Sequence, residues 1–335
     1  MKLFGAVAVF VHAKDILREP RFLDKLKSAF GGRPDLRTEH VRASIEATAI
    51  IEAARDALRR IGVSNAVSLV IDDTVLFHDR AGHPDDLGDL LLAFHDNESV
   101  FGQGFREIRL VVEHHDAGLH YVIELQGRSE HPRNAPAVRV LISGRIEALL
   151  PAPGEDAESY RKRAEPLGKD EKEIELYRRQ HAAFVERVRD ALAAAMPTAR
   201  VEVEVAESRI VRPEPPRRRE LAPPRHDRRT YDPYDAYYPN PLGGVLNHVL
   251  WGGLFSLFMP PHITIVGADN RFEGHADDPG IENGPTASDH ALPSGDASWW
   301  DDDDAAAGPD VDEPERGSWW DDLDWGGGWR VWTFP

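Results

Sequence analysis

The sequence predicts an α+β fold in which a mixed or antiparallel sheet is flanked by helices, followed by a disordered linker and an acidic tail. Two observations predict this organisation. In the first two hundred residues, strands that follow one another in sequence are joined as hairpins, and helical segments come before and after them. Beyond residue 212 the charge and the aromatic content of the chain change abruptly.

The clearest antiparallel signal is the segment FREIRLVVEHHDAGLHYVIELQG, residues 105–127. Its apolar residues alternate with polar ones on two strands, and matching the two apolar faces places Val112 opposite Ile123. The same register places His115 opposite His120. The turn then falls at residues 116–119, whose composition suits a hairpin turn.

Helical periodicity appears on either side of the strands. An apolar stripe predicts a helix that starts at the cap residue Thr38 and ends at Gly62, and residues 170–196 carry a longer stripe. The inward residues of that longer helix are Ile174, Tyr177, Phe184, Val188, Leu192 and Ala195. The first eleven residues are typical of a buried strand. A signal peptide cleaved after Ala13 is the alternative, but it would be shorter than usual.

Composition divides the chain into four parts. Residues 1–212 are expected to form a globular α+β domain, and residues 213–240 a linker rich in Pro, Arg and Tyr that lacks apolar periodicity. Residues 241–266 contain an apolar docking segment, and residues 267–335 form an acidic, tryptophan-containing tail that is expected to be disordered. The last 95 residues contain 18 acidic and 3 basic residues, whereas the whole chain has a net charge of −18.

The apolar segment contains an uncharged run of 18 residues, 242–259. This length is barely enough to cross a bilayer as a helix, and the polar residues and four glycines within it disfavour a span. A short apolar helix that docks is therefore expected, with Leu254, Phe255 and Phe258 as contact residues. This helix could dock on its own domain, on a second copy of the chain or on a membrane surface.

Three residues of the hairpin form the candidate metal site. Glu113, His115 and His120 project from the face of the sheet opposite to the apolar one, together with Glu124. Imidazoles and carboxylates at cross-strand distance are ligands for divalent metal ions. The alternative is an ordinary solvated sheet face, on which polar residues alternate with core residues.

A second polar cluster lies between Asp72 and Asp86. Its members are Asp72, Asp73, His78, Asp79, His83, Asp85 and Asp86. A continuous strand would turn the Asp73 carboxylate toward the core, which is costly for a charged group. A tight hairpin turn at Asp72 and Asp73 avoids this cost and is the preferred interpretation.

The tail contains the motif Ser-Trp-Trp-Asp-Asp twice, beginning at Ser298 and at Ser318. Its tryptophans are Trp299, Trp300, Trp319 and Trp320. Aromatic side chains supply binding area, while acidic neighbours steer a motif toward a basic partner. A tail that only increases solubility is the alternative interpretation.

Together these features predict an interaction or adaptor protein that binds a protein partner with a basic or apolar groove. Self-association and peripheral contact with a membrane surface are further expectations of the apolar segment. The alternative is a metal-dependent, hydrolase-like enzyme built on either polar cluster, although none of the usual catalytic motifs is present. No cofactor is expected. The acidic balance argues against nucleic acid as a partner, and the absence of cysteine fits a cytoplasmic protein.

Overall fold

The computed structural model describes residues 1–11, 39–72, 74–79, 104–129, 135–213, 231–238, 240, 242–256, 263–267 and 271–278, excluding the side chains of residues 39–42 and 253–256. Within these ranges the chain forms nine strands and five α-helices. In chain order they are β1 (Lys2–Phe10), α1 (Glu39–Arg60), β2 (Asn65–Ile71), β3 (Thr74–His78), β4 (Glu107–Asp116), β5 (Leu119–Arg128), β6 (Val138–Ile146), α2 (Ala157–Gly168), α3 (Glu171–Ala195), β7 (Arg200–Val211), α4 (Pro233–Tyr237), α5 (Gly243–Ser256), β8 (Ile263–Val266) and β9 (Phe272–His275).

The strands form one nine-stranded sheet in the order β3-β2-β4-β5-β6-β1-β7-β8-β9. Every neighbouring pair is antiparallel except β7 and β8, which run parallel. The sheet is therefore mixed, and helices flank it. This arrangement confirms the predicted α+β class.

Helices α1 and α3 pack on one face of the sheet and enclose the main core with the inward residues of β4 and β5. Asp170 caps α3 by accepting hydrogen bonds from two backbone N–H groups of its first turn. The close approach of α3 to β1 depends on Gly5, because a Cβ atom there would lie 2.6 Å from Cγ2 of Val185. The opposite face, called the outer face below, carries two smaller apolar clusters.

The folded part of the chain extends past residue 212, where the sequence placed the end of the domain. The last four residues of β7 are buried, and β8 pairs with them so that Val211 lies opposite Val266. Strand β9 then pairs with β8 at the edge of the sheet. Local composition could not indicate this pairing, because β8 lies about fifty residues beyond its partner in the sequence.

Helix α5 is formed by the apolar run and packs on the domain itself. Leu246, Val249, Leu250 and Trp251 are buried in the main core, and α5 contacts α2 at Gly168. Of the three docking alternatives, the described part of the run therefore docks on its own domain. Among the described helices, none is both long enough and apolar enough to cross a membrane.

Helix α3 also buries a histidine that the apolar stripe of the sequence omits. His181 lies in the core, where its ring stacks on Tyr121 with the ring centroids 5.9 Å apart. Burial lowers the pKa of His181 to about 4. The imidazole is therefore neutral in the folded protein at neutral pH.

We expect His181 to make the free energy of unfolding depend on pH between about 6.5 and 4. Above pH 6.5 the imidazole is neutral in both the folded and the unfolded state. Below pH 6.5 the unfolded state binds a proton before the folded state does, so the free energy of unfolding decreases as the pH is lowered. The loss from this residue reaches about 3 kcal/mol by pH 4. Urea unfolding at pH 7, 6, 5 and 4.5 should show a steeper decline for the parent protein than for His181→Leu. The exposed His275→Gln variant is the control and should follow the parent; parallel curves for the parent and His181→Leu would refute the expectation.

Candidate functional site

The β4–β5 hairpin has the register that the sequence predicts. Val112 lies opposite Ile123, and His115 lies opposite His120. The two residues of the turn, Ala117 and Gly118, have φ angles of 51° and 77°. Positive φ at both positions is typical of a type I′ turn, whose twist suits an antiparallel hairpin.

The hairpin brings Glu113, His115 and His120 together on the outer face, and these three residues are called the His-Glu cluster. One ligand atom from each side chain can be chosen so that all three atoms lie within 4.8 Å of one another. The two imidazole rings stack almost in parallel, with 4.3 Å between their centroids. His115 is exposed, whereas His120 is buried.

His120 and Glu124 are buried because residues 231–238 lie across the outer face of the sheet. This segment, called the tyrosine strap below, contains α4 and four tyrosines in the sequence YDPYDAYY. Tyr234 is buried in a cluster with Val67, Val111 and Val122. The sequence assigned these residues to an extended linker, since tyrosine and aspartate produce no apolar periodicity. The strap instead binds a polar face through its hydroxyl and carboxyl groups.

Three phenol groups of the strap each contact a different ionisable residue of the sheet. Tyr231 donates a hydrogen bond of 2.7 Å to Glu124, and Tyr238 donates to Oε2 of Glu113. The Tyr234 hydroxyl lies 2.8 Å from Nδ1 of His120. Burial raises the pKa of all three phenols above the ordinary tyrosine value, so they remain protonated and able to donate.

An ion cluster fixes the strap to β6 and β1. Arg145 donates 2.9 Å and 2.7 Å hydrogen bonds to Asp232 and Asp235, and its guanidinium lies 4.4 Å from the centre of the Tyr234 ring. Lys2 also donates a hydrogen bond to Asp235. Burial alone would raise the pKa of Asp235, but Arg145 and Lys2 lower it to about 2. Both carboxylates of the strap are therefore held by cations of the sheet.

The two carboxylates of the hairpin experience opposite effects. The hydrogen bond from His120, together with those from Tyr238 and Asn65, lowers the pKa of Glu113 to about 2 despite its partial burial. Burial raises the pKa of Glu124, and the hydrogen bonds from Gln126 and Tyr231 do not offset this effect. Glu113 is thus the anionic centre of the His-Glu cluster.

The sequence indicated the three members of the cluster but missed the residues that orient them. His115 Nδ1 lies 2.6 Å from Oε1 of Glu147, which follows β6, and His120 is held by Tyr234. The four tyrosines within eight residues were the one signal in the sequence that could have pointed to the strap. Their partners lie more than one hundred residues away along the chain.

The second polar cluster is only partly described, and its described part has a structural role. β2 and β3 form the predicted hairpin, with Ile71 opposite Thr74. Asp72, at φ 44°, accepts 2.9 Å hydrogen bonds from the backbone N–H groups of Arg106 and Glu107, where the chain enters β4. His78 ends β3, and the backbone N–H of Asp79 donates to the Val67 carbonyl. The remaining members, Asp73, His83, Asp85 and Asp86, lie outside the described residues.

The candidate partner-binding side chains also lie outside the described part of the structure. These are Leu254, Phe255, Phe258, Trp299, Trp300, Trp319 and Trp320. Comparisons of the chain with protein-family models, with curated proteins and with solved structures gave no match. The function of this chain is therefore inferred from its own residues alone.

We expect Arg145→Met to release the tyrosine strap and to lower the free energy of unfolding by about 3–5 kcal/mol. The substitution leaves the Asp232 carboxylate, whose side chain is fully buried, without its main cation. Hydrogen–deuterium exchange should increase for peptides that cover residues 231–238, and urea unfolding gives the free energy.

Arg139→Met is the matched control on the same strand. Arg139 pairs with Glu204 at a partly exposed position, where an ion pair contributes about 1 kcal/mol or less. Its exchange at residues 231–238 should equal that of the parent protein. Unchanged exchange at the strap in Arg145→Met would show that the ion cluster does not hold the strap in place.

Proposed function

We propose that this chain is a partner-binding protein: a folded α+β domain that presents an acidic, tryptophan-containing arm to another protein. The observation that carries the proposal is the repeated Ser-Trp-Trp-Asp-Asp motif, whose copies begin 20 residues apart at Ser298 and Ser318. The described core uses one tryptophan, Trp251, which is buried. The other seven tryptophans of the chain lie at or beyond Trp299.

The tyrosine strap supports this proposal by showing how an aromatic and acidic segment of this chain binds a surface. Arg145 of β6 donates hydrogen bonds to both aspartates of the strap while its guanidinium covers the ring of Tyr234. Guanidinium groups combine both contacts because they pair with carboxylates and stack on aromatic rings. The partner would accordingly offer arginine side chains beside an apolar groove.

Two copies of the motif would bind the partner with a gain from effective concentration. Once one tryptophan pair is bound, the second is held close to its own site, so the two contacts together exceed either alone. The aspartates increase the association rate by steering and lose this effect as salt screens their charge. We place this activity in the cytoplasm.

Contact of the apolar run with a partner, a second copy or a membrane surface is a further part of the proposal. The buried residues of α5 pack on their own domain, and the proposal assigns such contact to Leu254, Phe255 and Phe258. The alternative function, a metal-dependent hydrolase-like enzyme, would first require the His-Glu cluster to bind a metal ion.

We expect serine substitution of both tryptophan pairs in the full chain to abolish capture of the partner. The bait is the full-length protein in native lysate, with quantitative mass spectrometry of the proteins retained. Changing Trp299 and Trp300 alone, or Trp319 and Trp320 alone, should weaken binding by roughly tenfold or more, because bivalent attachment is lost. Binding of the parent protein should also weaken as the salt concentration rises.

A variant with serine at Trp325, Trp329 and Trp332 is the matched control, since these tryptophans lie outside the repeats. It should retain the proteins that the parent retains. Recovery of the same proteins by the variant that lacks both pairs, with every aspartate intact, would show that the repeated motif is inert.

A further inference from the structure

The His-Glu cluster has the arrangement of a metal site in its orienting contacts as well as in its ligands. Histidines that bind a metal through one ring nitrogen usually donate from the other nitrogen to a carboxylate or another acceptor, which fixes the tautomer. In both histidines of the cluster Nδ1 has a group within reach that can accept: the Glu147 carboxylate for His115 and the Tyr234 hydroxyl oxygen for His120. A metal ion at Nε2 of His120 would replace the hydrogen that Nε2 donates to Glu113, and the ring proton would then lie on Nδ1 and be donated to Tyr234. Nε2 is thereby assigned as the ligand atom in each ring.

The carboxylate of the cluster is oriented in a comparable way. Asn65 donates to Oε1 of Glu113, while Oε2 lies 3.2 Å from Nε2 of His120 and accepts from Tyr238. Oε2 and the ligand nitrogen of His120 therefore already face each other. A cation between them would take the position of the hydrogen that the two atoms now share.

We propose that Glu113, His115 and His120 bind one divalent transition-metal ion, of which zinc is the representative. Two imidazole nitrogens and one carboxylate oxygen suit zinc and its neighbours better than magnesium or calcium, which prefer oxygen ligands. Three protein ligands leave a coordination position for water or for a ligand from solution. The site lies within the folded domain, so this inference goes beyond partner binding and does not depend on the tail.

The distances require only a small adjustment of side chains. Ligand atoms about 2.0–2.1 Å from a tetrahedral zinc ion lie about 3.3 Å from one another. One ligand atom from each side chain can be chosen so that all three lie within 4.8 Å of one another, and for that choice the atoms need to approach by about 1.5 Å at most. His115, whose side chain is 63% exposed, has room for this adjustment toward Glu113 and His120. The cluster is thus open on the side of His115 and closed by the strap on the side of His120.

Zinc binding by the full-length protein tests the proposal. The protein is treated with a chelator, dialysed and titrated with zinc chloride against a chromophoric zinc indicator, which gives the number of sites and their affinities. We expect His115→Ala to lose one equivalent of tightly bound zinc or to bind it at least tenfold more weakly. This variant should fold, because the side chain is exposed. Titration with cobalt(II) should give visible absorption bands in the parent protein that decrease in the variant.

Two further variants separate the site from other histidines and from indirect effects. His114→Gln changes the adjacent histidine, which faces the core and stacks on Phe184, and it should retain the full zinc content. Glu147→Gln keeps all three ligands but weakens the partner of His115 Nδ1, and it should lower zinc affinity by about 10–100-fold. Circular dichroism checks that each variant is folded.

Equal zinc stoichiometry and affinity in the parent protein and in His115→Ala would overturn the proposal, as would the absence of zinc binding in the parent. Loss of zinc in His114→Gln to the same extent would also overturn it, because the bound metal would then not be specific to the cluster. These outcomes leave partner binding by the tryptophan motifs unaffected, since that test uses substitutions in a different part of the chain.

Discussion

The outer face of the sheet is organised around the ion pair between Arg145 and Asp232. Taking a carboxylate and a guanidinium out of water costs several kcal/mol for each ion, and only well-placed partners offset this cost. Arg145 also donates to the Ser143 hydroxyl and to the Gly144 carbonyl, which fixes its head relative to β6. Asp232 in turn caps α4 by accepting from the Tyr234 backbone N–H. This pair, together with the contacts of Asp235 with Arg145 and Lys2, therefore sets the position of the strap on the sheet.

The position of the strap determines the ionisation of the polar residues beneath it. Tyr234 reaches His120 and Tyr238 reaches Glu113, so that a carboxylate close to a histidine stays ionised. Glu124, only two strand positions from the outward Val122, is fully buried and has a raised pKa instead. Covering a polar sheet face with phenols thus creates two different electrostatic environments on one hairpin.

The elements that the sequence predicts correctly are those in which local signals agree. The β4–β5 register follows from two alternating apolar faces and a two-residue turn, and the bounds of α3 follow from the Asp170 cap and the apolar stripe. In β7 the local signal is misleading. An uninterrupted alternation of Val201, Val203 and Val205 would place all three on the inner face. The pairing of β7 with β1 shifts between Val203 and Val205, so Val201 and Val203 pack on the main core whereas Val205 packs against the outer-face cluster that contains Phe4. A bulge of this kind depends on the partner strand and leaves no trace in the alternation itself.

The candidate site shows the same division between local and distant information. The hairpin register alone was sufficient to bring Glu113, His115 and His120 together. It could not predict that His120 is buried, because the group that covers it comes from Tyr234, 114 residues later in the chain. The sequence therefore predicted which three candidate ligands come together, whereas their contacts with Tyr234 and Glu147 depend on tertiary structure.

The strap and the tail use related chemistry under different constraints. Phenol groups suit the strap because each hydroxyl satisfies a buried carboxylate or imidazole beneath it, and an unsatisfied buried polar group would cost about 1–3 kcal/mol. Tryptophan offers a larger apolar ring and one N–H donor, so it contributes less to such a network and more to filling a groove. The chain therefore places tyrosine where a polar face of its own must be covered. The repeats combine tryptophan with aspartate, which suits an apolar groove beside basic groups. This difference between tyrosine and tryptophan favours our proposal that the repeats bind a partner rather than cover a face of their own domain.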